Sequence, residues 1–358
     1  MQNYEKLSEN QNLIGSIVYL RDIIGGICAR GKMWSSFDLP ILATIPRSGT
    51  WFLRYVISYL NHLHNGGRID DRVTGRVIGR SNGIHFDYTR FKGGPLFRVK
   101  GLLPAEHLFI GHTACPGFRS LANRFEWWPD TSFHVPGYDY LHDGHDYRYT
   151  PVDLADYEYA PIYPNRLEAR AAAGRGQRAA LVFRNPIGQA LSYFRYCQAS
   201  DSEKYNTLVG RPLAKVPFRE FLFEHALLSY AKQFVSYQAM AERHSDSVLL
   251  IPYERLMNAP AETLASLLNH LSGRPRADWP NLLEAVWLAR YENMKAIEVE
   301  LDRSLDRTRK GSHMTHSELD SAGADDSLRA EAIQRLEKMN VNTSFIEWAT
   351  PISSKRVD

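Results

Sequence analysis

One short segment constrains the fold more than any other. Ile41-Leu42-Ala43-Thr44-Ile45 is apolar and rich in β-branched residues, and Pro46 closes it. A run of this length and composition is a strand buried on both faces, as in a parallel sheet. It enters the turn Pro46-Arg47-Ser48-Gly49-Thr50-Trp51, and helical periodicity begins at about Gly49. Phe52, Val56, Leu60 and Leu63 form one stripe, thickened by Leu53 and Ile57, while Arg54, Ser58 and Asn61 are expected on the opposite, polar face.

The same alternation returns further along. Leu108-Phe109-Ile110 reads as a strand ending at Gly111-His112. Ala180 to Phe183 is another, ending at Arg184, with Asn185 placed to cap a helix and Pro186 at its first position. Val248 to Ile251 is a fourth, followed by Pro252-Tyr253-Glu254 and a helix from about Ala259 to Leu271. A further helix is expected over 325–339, and the residues from 353 on read as a loose tail. Strands alternating with helices predict an α/β fold: a P-loop-like, doubly wound parallel sheet flanked by helices. The 358 residues suit one domain with insertions.

Between His112 and Arg178 the periodicity fails. Residues 126–158 hold eight acidic residues, one basic residue and eight aromatics. The stretch over 113–178 is expected to be a long irregular insertion that serves as an acceptor-site lid.

Composition narrows the function classes. With 43 basic and 40 acidic residues, the chain lacks the field of a dedicated nucleic-acid binder. Cys28, Cys115 and Cys197 match neither a disulfide framework nor a zinc motif. The N-terminal residues lack a signal-peptide layout, and no apolar run approaches the roughly 20 residues of a membrane span. A cytoplasmic protein with no membrane or nucleic-acid partner is expected, as a monomer or homodimer.

Three segments have the chemistry of anion sites. In the turn after Ile45, backbone N–H groups and a helix N-terminus meet Arg47 and the hydroxyls of Ser48 and Thr50, with Gly49 allowing the tight bend. Trp51 offers a flat face to a purine. Arg184-Asn185-Pro186 stands at a strand's carboxyl end, where open α/β sheets bind ligands, and Ser192 follows two helical turns on. Arg309-Lys310-Gly311, preceded by Arg307, is a candidate phosphate loop. Singly, these also read as an ordinary βα turn, a capped helix and a solvated basic run.

Taken together and in this order, the segments resemble the PAPS-dependent sulfotransferases, where PAPS is 3′-phosphoadenosine 5′-phosphosulfate. Pro46 to Trp51 is similar to that family's 5′-phosphosulfate loop, PKSGTTW. Arg184 and Ser192 resemble its 3′-phosphate motif, Arg309-Lys310-Gly311 its C-terminal RKG segment, and Tyr253-Glu254 its YE segment. The resemblance implies PAPS as donor, with 3′-phosphoadenosine 5′-phosphate (PAP) as product. It makes His112 the general base, Arg47 the cation at the reacting group and Tyr253 a second ring near the adenine.

The departures are specific. Arg47 stands where the family has Lys, one loop threonine is missing, and Ile110 replaces the Lys two residues before the His. They imply a divergent, bacterial-type branch of the cytosolic class, with more catalytic weight on Arg47.

For the acceptor, Trp127, Trp128, Tyr138, Tyr140 and Asp143 are candidates, since aromatic walls beside carboxylates suit a flat or cationic small molecule. A solvated acidic lid is the other reading of that stretch. His134, His142 and His145 with Asp143 and Asp146 form too weak a pattern for a metal site, and none is expected. Two other functions stay open: a P-loop-like kinase or NTPase, against which the missing Walker Lys-Ser/Thr pair argues, and a non-catalytic PAP- or nucleotide-binding protein.

Overall fold

The computed structural model describes residues 40–67, 96–99, 101–105, 107–111, 118–121, 124–127, 131–134, 178–198, 207–208, 211–296 and 326–348. Strand β1 (Ile41–Thr44) leads into helix α1 (Thr50–His64). Then come β2 (Leu96–Arg98) and β3 (His107–Gly111). Three short strands follow, β4 (Phe118–Leu121), β5 (Arg124–Trp127) and β6 (Thr131–His134). After them, β7 (Ala179–Phe183) leads into α2 (Pro186–Gln198), and α3 (Leu227–Arg243) into β8 (Val248–Pro252). Further helices include α4 (Tyr253–Asn258), α5 (Pro260–Ser272), α6 (Leu282–Leu288) and α7 (Asp326–Lys338).

The main sheet has the order β8-β7-β1-β3-β2. β8, β7, β1 and β3 run parallel, and β2 closes the edge antiparallel to β3. Alternate residues of the central strands feed two separate cores. Ile41, Ala43, Leu181 and Phe183 pack on one face with α2, α3 and α7. Leu42, Ala180, Val182, Leu108 and Ile110 pack on the other with α1, α5 and α6. Both faces are therefore covered, as the unbroken apolar strands required. This is the doubly wound α/β architecture expected from the sequence.

The winding sets the position of the site. β1 and β7 are neighbours, yet α1 goes to one face of the sheet and α2 to the other. Chain connections diverge at the carboxyl ends of these strands, opening the crevice in which such sheets bind ligands.

Ser58 and Asn61, on the face of α1 opposite the apolar stripe, are buried at 1% and 5% exposure. Helix α6 packs against α1 within the same core. The 113–178 stretch is not irregular throughout. Residues 118–134 contain the antiparallel meander β4-β5-β6, with Ser120 opposite Phe125 and Phe125 opposite Phe133. Four-residue strands of mixed polarity carry too little alternation to be read from sequence. Among the described residues, no helix is long and apolar enough to cross a membrane.

Candidate active site

Gly49 sits immediately before α1 in the left-handed region, at φ 85°. Arg47 is also left-handed, at φ 69°, which is uncommon for a side-chain-bearing residue. Such strain persists only where surrounding structure holds it, and it concentrates at functional sites. The turn is held from several sides. Ser48 N–H donates to the Ile45 carbonyl at 3.0 Å. Gln189 Nε2, on α2, donates to the Pro46 carbonyl at 2.9 Å. Thr44 and Thr50 share a hydroxyl–hydroxyl bond of 2.7 Å across the turn.

The turn after β7 is built differently. Asn185 caps α2, its Oδ1 accepting from Gly188 N–H at 2.8 Å, as the Asn-Pro pair predicted. Arg184 is only 4% exposed. Its guanidinium lies over the Tyr253 ring at 5.3 Å, and a methyl group on Gly188 would stand 3.2 Å from its Nε. The Arg184 fork is therefore held between a ring and a bare helix backbone.

The two turns meet. Arg47 Nε donates to Ser192 Oγ at 3.2 Å across 145 residues of sequence, and the Arg47 guanidinium stands 5.1 Å from the centre of the Tyr196 ring. Tyr253 joins them from the third side, since a β-carbon on Gly49 would come within 2.9 Å of its Cε2. Arg47, Ser48, Gly49, Thr50, Arg184, Ser192 and Tyr253 thus converge at the switch point. Trp51 lies on the first turn of α1, half-buried, with the Arg54 guanidinium 5.2 Å from its ring centre. Arg54 also donates to the Ile110 carbonyl at 3.1 Å, tying α1 to the end of β3.

Ser48 Oγ, on a residue with 0% exposure, and Glu254 Oε2 are buried polar atoms with no hydrogen-bond partner among the described residues. An orphaned buried donor or acceptor costs free energy unless something satisfies it. Burial raises the Glu254 carboxyl above the ordinary range, against the lowering effect of the Asn185 N–H and the Arg184 charge.

Several residues that hold the site escaped the sequence reading: Gln189, Tyr196, Arg54, Glu254, which accepts the Asn185 N–H, and Tyr230, whose hydroxyl donates to the Arg184 carbonyl. Each acts through a partner distant in sequence, so only the Glu in Tyr253-Glu254 left a local signal. Other expected site residues, His112, Trp128, Tyr138, Tyr140, Asp143, Arg309, Lys310 and Gly311, lie outside the described residues. Trp127 ends β5, paired with Thr131. Among the described residues no cluster of three metal-ligating side chains occurs.

Gly49→Ala tests the turn. The added methyl group meets the Tyr253 ring at 2.9 Å and forces a side chain into φ 85°. The expected cost is about 1–3 kcal/mol, seen as a drop of several degrees in thermal unfolding. An unchanged melting temperature would mean that the turn relaxes freely.

Fold and site together define a doubly wound α/β protein whose Arg47, Arg184 and Ser192 meet at its switch point. No family model matches the chain, and no curated protein matches it. Among solved structures, several are similar to this chain at low TM-score. A mouse sulfotransferase, SULT7A1, complexed with PAP, has a TM-score of 0.44 and 16% identity, covering 88% of this chain and 89% of that one. A retinol dehydratase in complex with retinol and PAP has a TM-score of 0.44 and 12% identity, covering 88% and 83%. Retinol dehydratase with androsterone and inactive cofactor PAP gives 0.44 and 12%, covering 89% and 85%.

Proposed function

We propose that this chain is a PAPS-dependent sulfotransferase that transfers a sulfuryl group to a hydroxyl or amine of a small acceptor. The observation that carries the reading is the meeting of Arg47 and Ser192 at 3.2 Å over the switch point, with Arg184 buried alongside. Two anion-binding turns on adjacent strands suit a ligand with two separate phosphate groups.

The donor set fits such a ligand. The Arg47 and Arg184 forks match tetrahedral oxyanions, and Ser48 Oγ is a buried hydroxyl with no partner among the described residues. Arg184 and Ser192 hold the 3′-phosphate, with Arg309, Lys310 and Gly311 closing over it. Arg47, Ser48, Thr50 and the N–H groups at Gly49 and Thr50 hold the 5′-phosphosulfate. Trp51 and Tyr253 flank the adenine.

PAPS supplies the activated sulfuryl group. His112 takes the acceptor's proton as the acceptor oxygen or nitrogen forms its bond to sulfur. The bond from sulfur to the bridging oxygen breaks in the same in-line step. Arg47, Ser48 and the turn's N–H groups take up the charge left on the 5′-phosphate. No proton need be delivered to that group, because a phosphate is a stable anion at neutral pH.

The acidic, aromatic composition of 126–158 supports a flat or cationic acceptor, such as a guanidinium- or amine-bearing natural product. Trp127, Trp128, Tyr138, Tyr140 and Asp143 are its contacts in this reading. The test is incubation with PAPS and a panel of phenols, amines and guanidines, read by mass spectrometry for an added sulfo group, with PAP binding measured in parallel. Sulfation of the cationic members is the expected result. Preference for neutral phenols of similar size overturns the acceptor assignment. PAP binding without transfer favours a nucleotide-binding protein, and phosphate release from ATP·Mg without PAPS turnover favours an NTPase.

A further inference from the structure

Glu254 carries no role in the reaction described above, yet it is built into the site. It stands on the first turn of α4, next to Tyr253, and is 4% exposed. Its Oε1 accepts the backbone N–H of Asn185 at 3.0 Å, across 69 residues of sequence, with the Asn185 amide nitrogen also 3.5 Å away. The carbonyl on the other side of that same peptide belongs to Arg184, and it accepts the Tyr230 hydroxyl at 3.0 Å. Both polar ends of the Arg184–Asn185 peptide are thus bonded to buried side chains from different elements.

A peptide unit is planar, so bonding its N–H on one side and its C=O on the other fixes the orientation of the whole plane. That plane sets the direction in which the Arg184 Cα projects its side chain. It also sets the Asn185 side chain, whose Oδ1 caps α2, the helix that carries Ser192. One carboxylate oxygen therefore governs the placement of both proposed 3′-phosphate ligands.

We infer that Glu254 is a positioning residue for the anion site, clamping the Arg184–Asn185 peptide against Tyr230 so that Arg184 and Ser192 address the same phosphate. This rests on the reading of the site as a PAPS and PAP site. A carboxylate beside an anion site repels the ligand, so a purely electrostatic design has no use for one there. Its retention makes sense as an acceptor for Asn185 N–H. The positive fork of Arg184 offsets its charge.

The experiment measures PAP binding by calorimetry for wild type, E254A, E254D and E254Q, with thermal unfolding in parallel. Gln keeps an acceptor oxygen at the same reach and removes the charge. Asp keeps the charge and withdraws the acceptor by one methylene. E254A and E254D are expected to weaken PAP at least about tenfold, because a buried N–H is left unsatisfied, whereas E254Q should stay within about threefold of wild type. A merely structural role lowers the melting temperature without moving the PAP affinity of the folded fraction. If E254A does not fold, the contrast between E254D and E254Q still decides. Wild-type affinity in E254D, or an E254Q as impaired as E254D, overturns the clamp alone. A wild-type chain with no affinity for PAP overturns the site reading, and the clamp with it.

Discussion

His112→Ala is expected to lower sulfuryl-transfer turnover by about 10²- to 10⁴-fold, the range for removing a positioned general base, while PAP affinity stays within about twofold. The acceptor must lose a proton as it attacks sulfur, and an imidazole is the side chain matched to that task near neutral pH. β3 ends at Gly111, which pairs with Ala43 of β1. Single-turnover measurement of PAP release with a responsive acceptor, alongside calorimetry of PAP binding, separates the two effects. A variant that keeps turnover within about threefold of wild type removes His112 from the mechanism. One that loses PAP binding to the same degree as turnover makes it a donor ligand instead.

The second large effect is expected at Arg184. Arg184→Ala should weaken PAP binding by roughly 100-fold, which is about 3 kcal/mol for the loss of charge-assisted bonds to a phosphate. The side chain is buried, stacked on Tyr253 and backed by Gly188, so its fork is already oriented and little ordering is needed on binding. Arg184→Lys should recover only part of the affinity. Lysine restores a point charge but not the planar fork, and it does not reproduce the stacking on the ring. Turnover at saturating PAPS should fall far less than PAP affinity in both variants. Unchanged PAP affinity in Arg184→Ala would sink the 3′-phosphate assignment, and full recovery by Lys would show that the fork is not used.

The elements of the central sheet were legible because their signals are local. Ile41 to Ile45, Ala180 to Phe183 and Val248 to Ile251 are apolar runs of strand length, each followed by a turn signal. Asn185-Pro186 announces a helix start through one side-chain bond, and Gly49 announces a tight turn because it must adopt a positive φ. The antiparallel β2 at the sheet edge and the meander of β4, β5 and β6 were not legible. Their strands have three or four residues each, too few for a period of two to stand out.

Arg54 shows the limit from another side. By periodicity it belongs to the polar face of α1, yet its guanidinium bonds the Ile110 carbonyl at 3.1 Å and lies by Trp51 and Phe97. Nothing within one turn of the helix reports that contact. Likewise, Arg47 reads as a cation in a glycine turn, and its own left-handed backbone is visible only in three dimensions.

The sequence alone determined a parallel α/β sheet, the two turns that follow β1 and β7 and the order in which they occur. These follow from strand burial, helix capping and glycine stereochemistry, which act over a few residues. The tertiary structure decided that the two turns share one crevice, that Arg47 reaches Ser192, and that Tyr230 and Glu254 grip the peptide between Arg184 and Asn185. Those contacts depend on β7 lying beside β1 and on α1 and α2 leaving to opposite faces. Strand neighbours and helix faces are chosen by the packing of two whole cores, and no local run of residues encodes that choice.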